Sequence, residues 1–254
     1  MTRALLLVFC TAALPALAFE GVVDTKMTYT GKEAQMNGTG TITIKGMNFR
    51  MDIEMTPSAA TAKSMPIGPA KMTTIARGDE PGITYMINDR SKTYQKLDAK
   101  HEGSDEAANK WTVKRLGKET IAGRTTEHVE LHNADKAEGD VMEVWVDTQL
   151  VSASDMTRAF AQRGSEGWWK ALQKAGVAGI PLKFVSHSKD GKNEAVWEAT
   201  KVTAKSVPSS TFEVPAGYTE GSGYGGPGMG MGKGMKLTPE QQKQLQEMMQ
   251  KQGK

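Results

Sequence analysis

Met47-Asn48-Phe49-Arg50-Met51-Asp52-Ile53-Glu54-Met55 alternates without a break. Met47, Phe49, Met51, Ile53 and Met55 fall on one side of an extended chain, and Asn48, Arg50, Asp52 and Glu54 on the other. A period of two sustained this long marks a strand with one buried and one wet face. A one-sided sheet needs a cover for its apolar side, so the stretch points to a curved antiparallel sheet with a helix laid across it.

Working outward, the strand pattern recurs. Upstream, Val22 to Tyr29 alternates, Thr41 to Ile44 is a strand, and Lys45-Gly46 turns into the opening stretch. Asn37-Gly38 reads as a hairpin turn, because both residues accept positive φ. Downstream, Thr56 to Ala70 is rich in Pro, Ala and Ser and reads as a loop. Lys71–Arg77, Ile83–Asn88 and Lys92–Leu97 follow as strands, and Ala99–Asn109 as a second loop. Trp111–Leu116, Glu119–Ile121, Thr125–His132 and Val141–Val146 are strands. Leu182–Ser188 and Asn193–Ala204 flank an Asp190-Gly191 turn, and Phe212–Tyr218 closes the domain in extended form. One helical excursion interrupts them. Ser154 is placed to cap it, and Met156, Ala159 and Phe160 share a face. Gly164 and Gly167 break it before a second segment, Trp168–Ala175. The expected fold class is mainly β with minor α, a half-barrel covered by that helix.

The ends have other compositions. Residues 1–18 combine a charged start at Arg3, an apolar run from Ala4 to Leu14, Pro15 and an Ala16-Leu17-Ala18 site. That is the pattern of a secretory signal peptide cut before Phe19, and the apolar run is too short to span a bilayer. The chain is therefore expected to be exported, to a periplasm or the cell exterior, soluble or peripherally attached. The single cysteine, Cys10, lies in that leader, so the mature chain carries no thiol and no disulfide. Residues 19–220 are the β domain, 221–236 a Gly/Met-rich flexible linker, and 237–254 an amphipathic helix. Thr238, Pro239 and Gln241 have the spacing of a capped helix start. Leu237, Leu245, Met248 and Met249 give it a thin apolar stripe, suited to an envelope partner or a membrane surface. Leu237-Thr238-x-x-Gln241 also resembles the Leu-Thr-x-x-Gln motif of small periplasmic stress chaperones.

The formal charge is only +3, spread over many charges of both signs, which speaks against nucleic acid. No other segment reaches transmembrane length. No nucleophile elbow, phosphate loop, zinc-protease motif or dinucleotide fingerprint is present, so no enzyme and no cofactor are expected. His128, Glu130 and His132 would share one strand face, and two imidazoles with a carboxylate suit zinc or copper. Neighbours two apart on a strand are about 6.5–7 Å apart, however, which favours a wet polar face over a shared ion. Met229, Met231 and Met235 are soft thioethers of the kind that bind Cu(I), within a run that reads more plainly as a linker. Trp168 and Trp169 offer either a stacking pair or one core and one interface residue.

Several short motifs, in order, carry a family likeness. They are Phe19-Glu20-Gly21, Lys45-Gly46, Arg50-Met51-Asp52, Tyr85, Lys92-Thr93-Tyr94 and Ile121-Ala122-Gly123 with His128. Val144-Trp145-Val146-Asp147, Gly179-Ile180-Pro181-Leu182 and Phe212, Val214, Pro215, Gly217 and Tyr218 complete them. From Phe19 to Tyr218 the chain resembles an uncharacterised family of exported bacterial proteins, a domain of unknown function related to the periplasmic lipoprotein-carrier superfamily. That resemblance implies a half-barrel closed by helices and a ligand held in its concave face. The leading expectation is a non-catalytic envelope protein that holds an apolar or acylated ligand between sheet and helix. The lining expected is Met47, Phe49, Met51, Ile53, Met55, Met156, Phe160, Trp168 and Leu172. The alternatives are an interaction or scaffold protein that docks through its carboxy-terminal tail, and a periplasmic metal-binding protein.

Overall fold

The computed structural model describes residues 19–32, 34–64, 69–98, 110–134, 141–150, 166–188 and 192–221. Six strands lead outward from the amino terminus: β1 (Glu20–Thr30), β2 (Gln35–Lys45), β3 (Asn48–Pro57), β4 (Ala70–Ala76), β5 (Ile83–Asn88) and β6 (Thr93–Asp98). Five return: β7 (Trp111–Ile121), β8 (Arg124–Asn133), β9 (Val141–Asp147), β10 (Ile180–His187) and β11 (Glu194–Ala204). The return ends with β11 docked antiparallel on β1, so the first and eleventh strands are neighbours in mid-sheet. A short β12 (Thr219–Glu220) pairs parallel with β6. The result is one curved, unclosed twelve-stranded sheet, bounded by β7 on one side and by β12 and β6 on the other. Among the described residues two α-helices accompany it, α1 (Ala59–Ser64) and α2 (Glu166–Lys174).

Alternation along the strands sorts the side chains onto two faces. On the concave face Val23, Ile42, Ile44, Val129, Leu131, Val144 and Val146 form one core with Trp169 and Leu172 of α2. Full burial of such aliphatic side chains is worth about 1.5–3 kcal/mol each. On the convex face Ile75, Tyr85 and Ile87 form a second core with Val207 and Phe212. Ile75 and Ala76 are adjacent on β4 and belong to different cores, which places the two cores on opposite sides of the sheet. The cover of the second core is a strap, the carboxy-terminal segment from Val207 to Tyr218.

Three local expectations are corrected. Asn37-Gly38 is not a turn but lies inside β2, where Asn37 faces Thr28 and Gly38 faces Met27. The reversal falls earlier, where the Gly31 amide donates to the Ala34 carbonyl at 2.8 Å. Gly38 serves close packing instead, since a Cβ there would collide with the Met55 sulfur. The stretch expected to be a loop after Thr56 contains α1, tied down by the Gln35 amide, which donates to Thr61 Oγ1 at 2.8 Å. Trp111–Leu116 and Glu119–Ile121 are one strand, continuous through an irregularity between Arg115 and Gly117. Ala99–Asn109, Ser154–Ser165 and the Asp190-Gly191 turn lie outside the described residues.

Candidate functional site

Among the described residues the concave face is plugged at one end and open at the other. At the plugged end Leu172 and Trp169 of α2 sit fully buried among Val146, Ile180 and Leu182. Asp147, only 1% exposed, closes this end by accepting from Arg124 Nε at 2.7 Å and from the Gln149 amide at 2.8 Å. At the open end the register aligns one residue from each of six strands: Tyr29, Ala195, Ser186, Met142, Leu131 and Val113. Ala195 and Ser186 are small, and their neighbours are large. The dip between them is a hollow of about 290 Å³, with Tyr29, Trp111, Leu131, Met142, Ser186 and Ala195 in its lining. Residues of β7 and β11 both line it. An open, mainly apolar dip of this kind takes an apolar group; the titratable side chains in its lining, His187 and Glu194, pair with each other, Nδ1 to Oε2, at 3.2 Å.

The convex face carries polar groups, but they are occupied. An open trough of about 500 Å³ contains Asp24, Thr41, Asp52 and Thr73, which face one another across four strands. Asp52 accepts from Arg50 Nε and Nη2 at 2.8 and 2.9 Å and from Thr73 Oγ1 at 2.7 Å. The strap is clamped beside it. The Val207 amide donates to Glu20 Oε1 at 2.6 Å, Lys45 Nζ to the Val207 carbonyl at 2.7 Å, and Arg50 Nη1 to the Thr211 carbonyl at 3.3 Å. The Val207 amide, with help from Lys45, holds the Glu20 carboxyl below its ordinary range. Tyr218 donates to Asp89 at 2.7 Å, which raises the Tyr218 hydroxyl above its ordinary value.

The histidines expected to face one way do so, and each has its own carboxylate. His128 Nδ1 lies 2.9 Å from Glu119 and Nε2 2.7 Å from Glu143. Its ring stacks on Trp145 at 4.0 Å, and Lys183 Nζ lies 4.5 Å from the centroid of the same indole. His132 Nε2 lies 2.9 Å from Glu130, whose carboxyl is held low chiefly by that contact and then by Lys114. Among the described residues no group of three or more His, Cys, Asp or Glu is placed to hold a metal ion.

The other expected residues are scattered. Met47 is a correction. It belongs to the turn before β3, is 43% exposed, and lies against Gly78 rather than inside. Phe49 and Leu172 are fully buried, while Met51, Ile53, Met55 and Trp168 are half-buried. Trp168 stacks on the buried Trp169 with centroids 4.2 Å apart. None of these lines the hollow. Met156, Phe160, Met229, Met231, Met235, Leu237, Leu245, Met248 and Met249 lie outside the described residues. The residues missed are Tyr29, Trp111, Met142 and Ala195. The signal for them is the pairing of large with small side chains across strands, which needs the register to be seen.

The fold and hollow define a class, an antiparallel β half-barrel plugged at one end and open at the other. The chain belongs to the DUF4412 family, a domain of unknown function, matched over residues 19–218. No curated protein matches it in sequence. Among solved structures it is similar to MucB, at 10% identity and a TM-score of 0.39, over 79% of this chain and 59% of that one. The chain thus spans about three-fifths of the length of MucB. It is also similar to an uncharacterized conserved protein from Thermus thermophilus, at 10% identity and a TM-score of 0.40, over 78% of this chain and 89% of that one. A third is a putative outer membrane lipoprotein-sorting protein domain from Vibrio parahaemolyticus, at 9% identity and a TM-score of 0.27, covering 76% and 89%. No residue role follows from these likenesses. Among the described residues no helix is long and apolar enough to cross a membrane.

Proposed function

We propose that this protein is a non-catalytic interaction protein of the cell envelope, and that the hollow receives an apolar group of its partner. The observation that supports this reading is the six-strand row ending in an open, mainly apolar dip. Leader-like residues 1–18 support an exported, periplasmic place. At about 290 Å³ the hollow lies just below the ordinary range of about 300–1,000 Å³ for drug-sized ligands. It suits one bulky side chain or the end of one acyl chain better than a two-chain lipid. An acyl chain is the second reading, favoured by Met142 in the lining, since methionine adapts to varied apolar shapes.

The test is a titration of the Phe19–Lys254 chain with anilinonaphthalene sulfonate. One saturable site, lost in Ala195→Trp, is the expected result. Equal binding by both chains contradicts the reading. Displacement of the dye by palmitate marks the acyl occupant, and displacement only by an apolar peptide marks the protein occupant.

A further inference from the structure

We propose that the free edge of β7 adds an extended segment of a partner protein as a further strand, whose apolar side chain fills the hollow. The inference rests on the hollow being a binding site and names what enters it.

Backbone hydrogen bonds define the edge. Among the described residues β7 is the last strand on its side of the sheet. The Ala134 amide donates to the Lys110 carbonyl at 2.8 Å, and the register sets Trp111 opposite Asn133, so Lys110 and Ala134 face each other as a hydrogen-bonded pair. In an antiparallel ladder hydrogen-bonded and non-hydrogen-bonded pairs alternate. Thr112 opposite His132 and Lys114 opposite Glu130 therefore bond to β8. Trp111 opposite Asn133 and Val113 opposite Leu131 do not, and the backbone N–H and C=O of Trp111 and Val113 point away from the sheet. Among the described residues no backbone group meets them. The free run stops at the irregularity after Arg115, whose Nη2 donates to the Ala175 carbonyl beside α2 at 2.6 Å.

Side chains then supply direction. Val113 ends the row whose other five members line the hollow, and Trp111, two residues before it, lines the hollow too. Trp111 of β7 and Ala195 of β11 line the same hollow, so a strand added about 4.8 Å beyond β7 would lie beside it. Its concave-facing side chain continues the row inward. This is β-strand addition, in which main-chain bonds give affinity and a pocket reads alternate side chains.

Charge selects the partner. Lys114 stands on the convex side of this stretch, exposed and 3.3 Å from Glu130 of β8, with Lys110 four residues before it. A second copy of β7 pairing antiparallel would bring these lysines together, and like charges across strands are destabilising. The edge thus deters self-association and favours a segment that alternates apolar with acidic residues.

The experiment uses the Phe19–Lys254 chain and a capped nonapeptide in which leucines alternate with glutamates. Proline at Val113 removes only an outward N–H, which an edge strand tolerates, and Val113→Ala matches the loss of side chain. Binding is read by fluorescence anisotropy, and protection by amide hydrogen exchange. Expected are binding by the native chain, protection of the Trp111 and Val113 amides, and affinity about tenfold weaker in Val113→Pro than in Val113→Ala. Ala195→Trp should also weaken it. No binding by the native chain, unprotected amides, or equal affinity of the two Val113 variants overturns the proposal. If Ala195→Trp abolishes binding and Val113→Pro does not, strand addition fails and the hollow reading stands. If Val113→Pro abolishes binding and Ala195→Trp leaves it intact, it is the hollow that fails as the occupied site, and the proposal fails with it.

Discussion

The two sides of this sheet are finished differently. From β3 to β6 the chain covers its own work. The strap buries Phe212 against Ile75, Tyr85 and Ile87, and β12 pairs with the start of β6. Glu20, Lys45 and Arg50 each meet a backbone group of the strap. From β7 to β11, among the described residues, the cover stops halfway. α2 fills one end, while at the other a dip and an outward backbone edge stand side by side. Where a chain satisfies its own apolar surface and backbone groups, the region is built for stability. The region that leaves both open in one place is the one we propose is completed from outside.

The comparison is most strongly challenged at the buried anchors. Phe212→Ala should cost about 3–5 kcal/mol in urea unfolding, and Leu172→Ala about 2–5 kcal/mol. The two cores share no buried residue, so the double variant should be additive within about 0.5 kcal/mol. A larger coupling would mean that strap and plug are one unit. Arg124→Ala should cost less, about 1–3 kcal/mol, because Asp147 loses its cation but keeps the Gln149 amide. The smallest effect is a pH slope in the strap core. Burial, and then the hydrogen bond it donates to Glu80 at 2.5 Å, pushes the Tyr85 hydroxyl from 10.0 up to about 12. As pH rises the unfolded chain loses this proton first, so stability should fall from about pH 10 to about pH 12. The measurement is the difference between the native chain and Tyr85→Phe, which should lack that part of the slope. Parallel pH profiles of the two chains contradict the assignment.

Much of this is legible in the residues, because local period and local turns determine strands. The alternation from Asn48 to Met55 is β3, and Lys45-Gly46 is the turn before it, with Gly46 at a φ of 57°. Ala122-Gly123, at φ values of 49° and 76°, makes the tight β7–β8 hairpin. The failures have one cause. Asn37-Gly38 has turn chemistry, yet β1 and β2 pair past it over their whole length, and tertiary pairing overrides the local preference. The wet face of β3 reads as solvent-facing, yet Arg50 reaches the carbonyl of Thr211, a residue far along the chain. Apolar residues are dense around the helix, which points to a cavity beneath it. Density produces a filled core around Leu172 instead. The open site arises from Ala195 and Ser186, whose smallness matters only once the register sets them between Tyr29 and Met142.

The most direct test is chemical-shift mapping of the isotope-labelled Phe19–Lys254 chain as the leucine–glutamate peptide is added. The account predicts perturbations clustered at Tyr29, Trp111, Val113, Leu131, Met142 and Ala195, with the strap core of Tyr85, Val207 and Phe212 unchanged. Perturbations centred on the strap, or absent from the open end, would contradict it.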